Sequence, residues 1–219
     1  MSIEPPENQE ELMRRAKQMA GRTLQEISAL VGKSLPSSLK HNKGAVGQLI
    51  EEVLGATSHS KPAPDFEHLG VELKTIPVNQ RGKPKESTHI CMVALNQQQI
   101  ELWENSLVRK KLAKVLWVPV LSDPNLPLSK RIVGSPKIWT PTQKQETAIR
   151  IDWEEHMELI ITGQINRLDS RMGVVLQVRP KALNARQLTT SHDEEGLKIT
   201  TLPRGFYLRS NFTGTLLVE

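Results

Sequence analysis

Residues 70–78 read Gly-Val-Glu-Leu-Lys-Thr-Ile-Pro-Val. Apolar and polar residues alternate here, and a period of two is the mark of an extended strand, because successive side chains leave a strand on opposite faces. Glu72 and Lys74 therefore share one face, while Val71, Leu73 and Thr75 share the other. The residues that lead in are Pro64-Asp65-Phe66-Glu67-His68-Leu69. A turn or bulge there swings Asp65 alongside the strand, and two carboxylates and one ammonium then meet at a single point. Carboxylate oxygens suit Mg2+, and a nearby lysine can orient or polarise a water. These are the parts needed to hydrolyse a phosphodiester, where charge must be neutralised on the phosphate and a water activated. Glu-x-Lys on a strand is also a common solvated ion pair, so the rest of the chain has to decide between the two.

With 219 residues, the chain can build one large domain or two intimate lobes around a real core. The net charge of +5 fits an anionic partner. Aromatic residues make up only 4 % of the chain, which argues against single-strand base-stacking modules and favours a duplex read through phosphates and groove edges. The single cysteine, Cys91, lies in an apolar run, so a disulfide framework is excluded and a buried thiol is expected. The six histidines form no HExxH and pair with no cysteine, which speaks against structural zinc. The polar, acidic residues 1–11 do not resemble a secretory signal. The longest apolar run, 115–121, contains Pro119 and is too short to span a bilayer. A cytoplasmic protein with no membrane partner is the expectation.

Apolar stripes predict helices over 7–20, 23–31 and 45–54, the third closed by Gly55. Strands are expected over 71–78 and 88–95, joined as a hairpin by the basic loop 79–87. A helix over 99–110 follows, then a buried strand over 113–121, a loop over 122–129 and a weaker strand over 131–139. A long helix is expected over 141–161 with Pro141 in its first turn. Further strands are expected over 173–178, 206–208 and 213–218, with a polar run over 184–196. There are no repeats and no long linker. Helices, a strand block, a long helix and more strands make an α/β domain with a central mixed sheet flanked by helices.

Pro64-Asp65, Glu72-Leu73-Lys74 together resemble the signature of the restriction-endonuclease superfamily. The wider sequence resembles the MutH family, the strand-nicking endonucleases of methyl-directed mismatch repair. The landmarks run over essentially the whole chain: Lys43-Gly44, then Glu51 on the third helix, Arg179-Pro180-Lys181 after a late strand, and Gly205-Phe206-Tyr207 near the end. The resemblance implies a single nuclease domain, residues 1–219, built of two lobes with a duplex-DNA cleft between them. It implies a monomer that uses Mg2+ to incise the unmethylated strand at GATC, activated by MutL, which MutS recruits at a mismatch.

Asp65 and Glu72 are the expected metal ligands, and Lys74 aligns the attacking water, stabilises charge or acts as a base. In this family Glu51 lies near the metal; read from the residues alone it is equally a surface glutamate at a helix end. Lys43 and Gly44 precede a helix N-terminus, where backbone amides bind phosphate and glycine allows close approach. The resemblance puts Lys111 near DNA, where the bare sequence reads a solvated helix end. Arg179 suits guanine O6 and N7 in the major groove or, failing that, a phosphate, and Pro180 stiffens its loop. Of the Phe206-Tyr207 pair, Phe206 is the core candidate, and the resemblance sets Tyr207 at the adenine methyl position. Two alternatives stay open: a type II restriction enzyme on the same fold that cuts both strands as a dimer, and an inactive DNA-binding adaptor. The intact Asp65, Glu72 and Lys74 argue against the adaptor.

Overall fold

The computed structural model describes residues 3–39, 42, 44–58, 62–96, 99, 101–182 and 184–218. In chain order its elements are α1 (Gln9–Met19), α2 (Leu24–Leu30), α3 (Ala45–Leu54), β1 (Glu72–Val78), β2 (Thr88–Met92), α4 (Leu107–Leu112), β3 (Val115–Leu121), β4 (Lys137–Trp139), α5 (Gln143–Ile161), β5 (Leu176–Pro180), β6 (Thr189–His192), β7 (Lys198–Thr201), β8 (Arg204–Leu208) and α6 (Ser210–Val218). They divide into two compact units. The first comprises Met1–Glu86, Lys111–Thr140 and Gly214–Glu219, and the second comprises Ser87–Lys110 and Pro141–Thr213.

The first unit holds a mixed sheet in the order β1-β3-β4, with β1 and β3 parallel and β3 and β4 antiparallel. One face of β1 and β3 offers Leu73, Leu116, Val118 and Val120, with Val71 just before β1, to the apolar sides of α1, α2 and α3. The helices have local reasons to start where they do. Asn8 accepts the Glu11 amide at the head of α1, and Thr23 and Glu26 form a reciprocal capping box on α2. α3 stops at Gly55, whose φ of +76° is left-handed. On its other side β1 carries Glu72 and Lys74, in register with Val115 and Trp117 of β3, and the Trp117 ring packs 6.0 Å from that of Trp139.

The second unit holds an antiparallel sheet in the order β2-β8-β5 and a separate two-stranded ribbon, β6-β7. α5 packs on β5, burying Ile149, Trp153, Met157 and Ile160, and is capped by a Thr142–Gln145 box. Trp103 and Trp153 lie with ring centroids 5.5 Å apart.

The α/β class holds, with the strands shared among small sheets, and several local expectations change. β1 and β2 do not form a hairpin: β1 pairs with β3 and β2 with β8, while the basic loop turns back on the end of β1, the Asn79 amide donating to the Lys83 carbonyl and the Lys85 amide to the Pro77 carbonyl. The helix expected over 99–110 is a short turn at Trp103–Asn105 followed by α4, because Ser106 caps a new start by accepting the Arg109 amide. The strand expected over 131–139 shrinks to β4 plus single bridges at Ile132 and Val133. Pro141 precedes the Thr142 cap instead of lying in the first turn of α5. Residues 213–218, read as a strand from their β-branched and apolar residues, belong to α6. The ribbon β6-β7 lies partly in the run read as polar loop.

Gly55 generates a prediction. A Cβ there would stand 2.6 Å from the Glu4 carbonyl oxygen, on a left-handed backbone. Gly55→Ala should cost at least about 1–2 kcal/mol from the backbone conformation alone, with a further penalty for the clash. Urea unfolding should show a lower midpoint at unchanged slope; an unaltered midpoint would refute the close approach.

Candidate active site

Asp65 reaches β1 by a tight reversal. Phe66 and Val71 exchange backbone hydrogen bonds, a single 3-10 turn fills Glu67–Leu69, and Gly70 takes the left-handed conformation (φ +62°) that reverses the chain. The amides of Thr57 and Ser58 donate to the Asp65 carbonyl and fix the other side of the turn. Asp65 Oδ2 then accepts the Leu73 amide at 2.8 Å, which aims the carboxylate along the start of β1.

Glu72 is almost completely enclosed, at 1 % exposure. A bare carboxylate at such a place is prohibitive, so it must be paired. Two lysines do this. Lys74 Nζ donates to Oε1 at 2.5 Å, from two residues along the same strand face. Lys111 Nζ donates to Oε1 at 2.9 Å and Oε2 at 2.8 Å, and also to the Ala63 carbonyl at 3.1 Å. Lys111 comes from the end of α4 and is itself only 12 % exposed. The resemblance put Lys111 near DNA, and the bare sequence read it as a solvated helix end; its ammonium lies on the Glu72 carboxylate. Its signal in the sequence is the following Leu112-Ala113, which turns a solvated helix end into the entry of a buried strand.

The proximity of two carboxylates is felt at Asp65. Burial, then the Glu72 carboxylate, push its pKa above the usual aspartate range, against the pull of the Leu73 amide and both lysines. Glu51 lies on α3, half-buried, one turn after Gly47. A Cβ on Gly47 would stand 3.6 Å from Thr75 Oγ1 of β1 and 3.7 Å from Glu51 Oε1, so α3 meets β1 closely at this point. Among the described residues, no three His, Cys, Asp or Glu side chains gather as a metal cage. Asp65 and Glu72 alone are a donor set of the kind Mg2+ uses, since that ion is commonly held by one or two carboxylates, waters and substrate phosphate. Two mutually repelling carboxylates fit a dication.

The remaining expected residues fall in other places. Gly44 is the N-cap of α3, in a right-handed conformation, and a Cβ there would meet nothing closer than Gln48 Nε2 at 3.9 Å. Lys43 lies outside the described residues. Arg179 and Pro180 end β5 and are exposed, while Tyr207 is half-buried on β8, beside the buried Phe206. The Arg179 guanidinium stands 5.5 Å from the Tyr207 ring centroid. Two side chains to which the sequence reading gave no role complete this group: Lys181 Nζ, 5.9 Å over the same ring, and His89, edge-on at 5.1 Å. Cross-strand register is what unites His89 with Tyr207, and register is not visible in a single sequence.

Comparison with known proteins agrees with this chemistry. Residues 54–152 match the family model described as DNA mismatch repair enzyme MutH. The DNA mismatch repair protein MutH of Escherichia coli O6:K15:H31 (strain 536 / UPEC) is 49 % identical over 217 residues, 99 % of this chain and 95 % of its own length. The protein of the same description from Escherichia coli (strain K12 / DH10B) is similar to the same extent, 49 % over 217 residues with the same coverage.

The raised pKa of Asp65 has a measurable consequence. A carboxyl whose folded pKa lies above its unfolded value is bound more tightly by protons in the folded state, so its contribution to stability is complete below the unfolded pKa and is lost as pH rises through the folded pKa. Asp65→Asn keeps an oxygen for the Leu73 amide and removes the charge. In metal-free buffer it should melt higher than the parent protein at neutral pH, and the gap should close below about pH 4, near the ordinary aspartate value. Equal melting temperatures at neutral pH would show that Asp65 ionises without strain.

Proposed function

The chain belongs to the MutH family of DNA mismatch repair enzymes, and we propose that it nicks the unmethylated strand of duplex DNA at hemimethylated GATC, using Mg2+ held by Asp65 and Glu72. It is a DNA endonuclease, a hydrolase of phosphodiester bonds. The observation that carries the finer reading is the buried Glu72 carboxylate, with Asp65 folded against the same strand and two lysines fixed on it. A surface ion pair has no need of this enclosure.

When bound, the metal supplies charge neutralisation on the scissile phosphate and lowers the pKa of a water. The chain's own groups do the rest. Asp65 and Glu72 present their oxygens from one strand start. Lys74, held by Glu72, orients a water whose oxygen bonds to phosphorus as the phosphorus–oxygen bond to the leaving strand end breaks; the proton the water gives up passes to solvent, and the leaving oxygen takes one up from solvent. Lys111 offsets charge at the same carboxylate and adds positive potential toward the phosphate. Glu51 acts on this site from α3. Gly44 and Lys43 contact backbone phosphate; among the described residues the nearest neighbour of a Cβ at Gly44 would be Gln48 Nε2 at 3.9 Å.

Base reading belongs to the β5–β8 face. Arg179 recognises guanine, Pro180 shapes the approach, and Tyr207 meets the N6 position of adenine, where a methyl group replaces a hydrogen and crowds a rigid ring. The protein acts as a cytoplasmic monomer, a single nuclease domain, and is activated by MutL downstream of MutS. No helix among the described residues is long and apolar enough to cross a membrane.

The test of the chemistry is direct. Supercoiled plasmids with unmethylated, hemimethylated, fully methylated or no GATC are incubated with the protein and Mg2+. Nicked circles should form from the first two only, and Glu72→Gln, which keeps the side-chain volume, should abolish them while leaving GATC duplex binding in Ca2+ largely intact. Nicking by the variant, or equal nicking without GATC, would refute the reading.

The test of strand choice is separate. Tyr207→Ser should admit the methylated strand, raising its cleavage relative to the unmethylated strand, whereas Arg179→Ala should erode preference for GATC over a one-base variant by roughly 1–3 kcal/mol. An unchanged methylated-to-unmethylated ratio in folded Tyr207→Ser would remove Tyr207 from methyl sensing, and a uniform loss in Arg179→Ala would make Arg179 a phosphate contact.

A further inference from the structure

The strand that carries Arg179 has little of its own to hold it in place. β5 is five residues long, lies at the edge of its sheet and has β8 as its single neighbour there. Short edge strands slip easily, and a slip of one residue turns every side chain to the other face. In the observed register Leu176 opposes Leu208, Gln177 opposes Tyr207 and Arg179 opposes Gly205. A slip would carry Arg179 away from the Tyr207 ring.

Two charged groups grip the chain where it enters β5. Asp152, 3 % exposed on α5, accepts three consecutive amides: Val174 on Oδ1 at 2.9 Å, and Val175 and Leu176 on Oδ2 at 2.6 and 2.7 Å. Arg209, the residue after β8, takes the carbonyls just upstream: Nε donates to Gly173 at 2.9 Å, and Nη2 donates to Met172 at 2.8 Å and Ser170 at 3.0 Å. The Arg209 amide also donates to the Val175 carbonyl at 2.9 Å. Between the two grips Gly173 is left-handed at φ +77°, and a Cβ there would stand 1.9 Å from the Leu176 carbonyl oxygen. His156, one turn beyond Asp152, is buried, and burial lowers its imidazole pKa from the usual histidine value.

Three amides and three carbonyls of one seven-residue entry are thus fixed by two side chains, one from a helix and one from the residue that follows the strand bearing Tyr207. Bonds to a charged partner are about twice as strong as neutral ones, and a buried carboxylate fully occupied by amides is a rigid reference point. We propose that Asp152 and Arg209 are positioning residues for base recognition: they set the register of β5 against β8 and thereby hold Arg179 at Tyr207. This rests on the reading that the β5–β8 face recognises DNA sequence.

The experiment uses the full chain with Asp152→Asn, and separately Arg209→Lys, each confirmed folded by circular dichroism. Asparagine keeps the shape but turns one amide acceptor into a donor; lysine keeps the charge but loses the fork. Three quantities are read: kcat/KM on a GATC duplex against a one-base variant, affinity for an unrelated duplex, and hydrogen exchange at 174–178. The expected result is a fall of about tenfold or more in the GATC preference, affinity for the unrelated duplex within about twofold, and faster exchange at 174–178. Should one variant fail to fold, the other carries the same expectations. Unchanged exchange would overturn the clamp itself, and faster exchange with undiminished preference would reduce it to a stabilising contact. Absence of any GATC preference in the parent protein would refute the functional reading instead, with the exchange result still judging the clamp.

Discussion

A carboxylate excluded from water sets the terms for the first unit. A carboxylate this deeply buried needs partners, and both partners of Glu72 are delivered by secondary structure: Lys74 by the two-residue period of β1, and Lys111 by the end of α4 as the chain enters β3. The pairing of β1 and β3 in parallel, Glu72 opposite Val115, brings these together. Parallel pairing requires a long crossover, and the chain supplies one that runs through β2 and α4. Removing either lysine would leave the carboxylate under-compensated in an apolar setting bordered by Val115 and Trp117, a far larger disturbance than loss of a surface ion pair.

The same enclosure explains why Asp65 must come from outside the strand. A second carboxylate on the Glu72 face of β1 would compete for the same lysines. Arriving through the Phe66–Val71 turn, it is anchored by a backbone amide instead and keeps its own orientation. The cost is visible in its reluctance to ionise. In the proposed reading, a dication held by both carboxylates would relieve this repulsion.

Where the sequence was legible, one element explained its own pattern. The period of two in 70–78 and the stripes of α1 to α3 encode burial directly, and Gly55 ends α3 for a steric reason that any reader of the chain can see. Asp65, Glu72 and Lys74 were legible for the same reason, being close in sequence. Partnership between distant segments was not. Thr88–Met92 follows β1 after a turn-rich loop and so reads as its hairpin mate, yet its partner is β8, more than a hundred residues on. Residues 213–218 are β-branched and apolar, which suits a strand, but the Arg209 carbonyl accepts from the Thr213 amide and starts a helix. Lys111 reads as one of three solvated cations because Leu112-Ala113 marks only the entry of a buried strand and does not announce the carboxylate that Lys111 meets.

The two charged centres of the molecule also differ in what they ask of their surroundings. Around Glu72 the partners are side chains, which can rearrange when a ligand arrives, so the site is poised to exchange a lysine contact for another. Around Asp152 the partners are three backbone amides in a row, which cannot be exchanged without unravelling the start of β5. Chemistry needs the first arrangement, because charge must move. Recognition needs the second, because a base edge is distinguished from its neighbours by the placement of a donor to within a fraction of an ångström. Both are buried carboxylates, and under the proposed roles their different partners would separate a metal-holding group from a positional reference point.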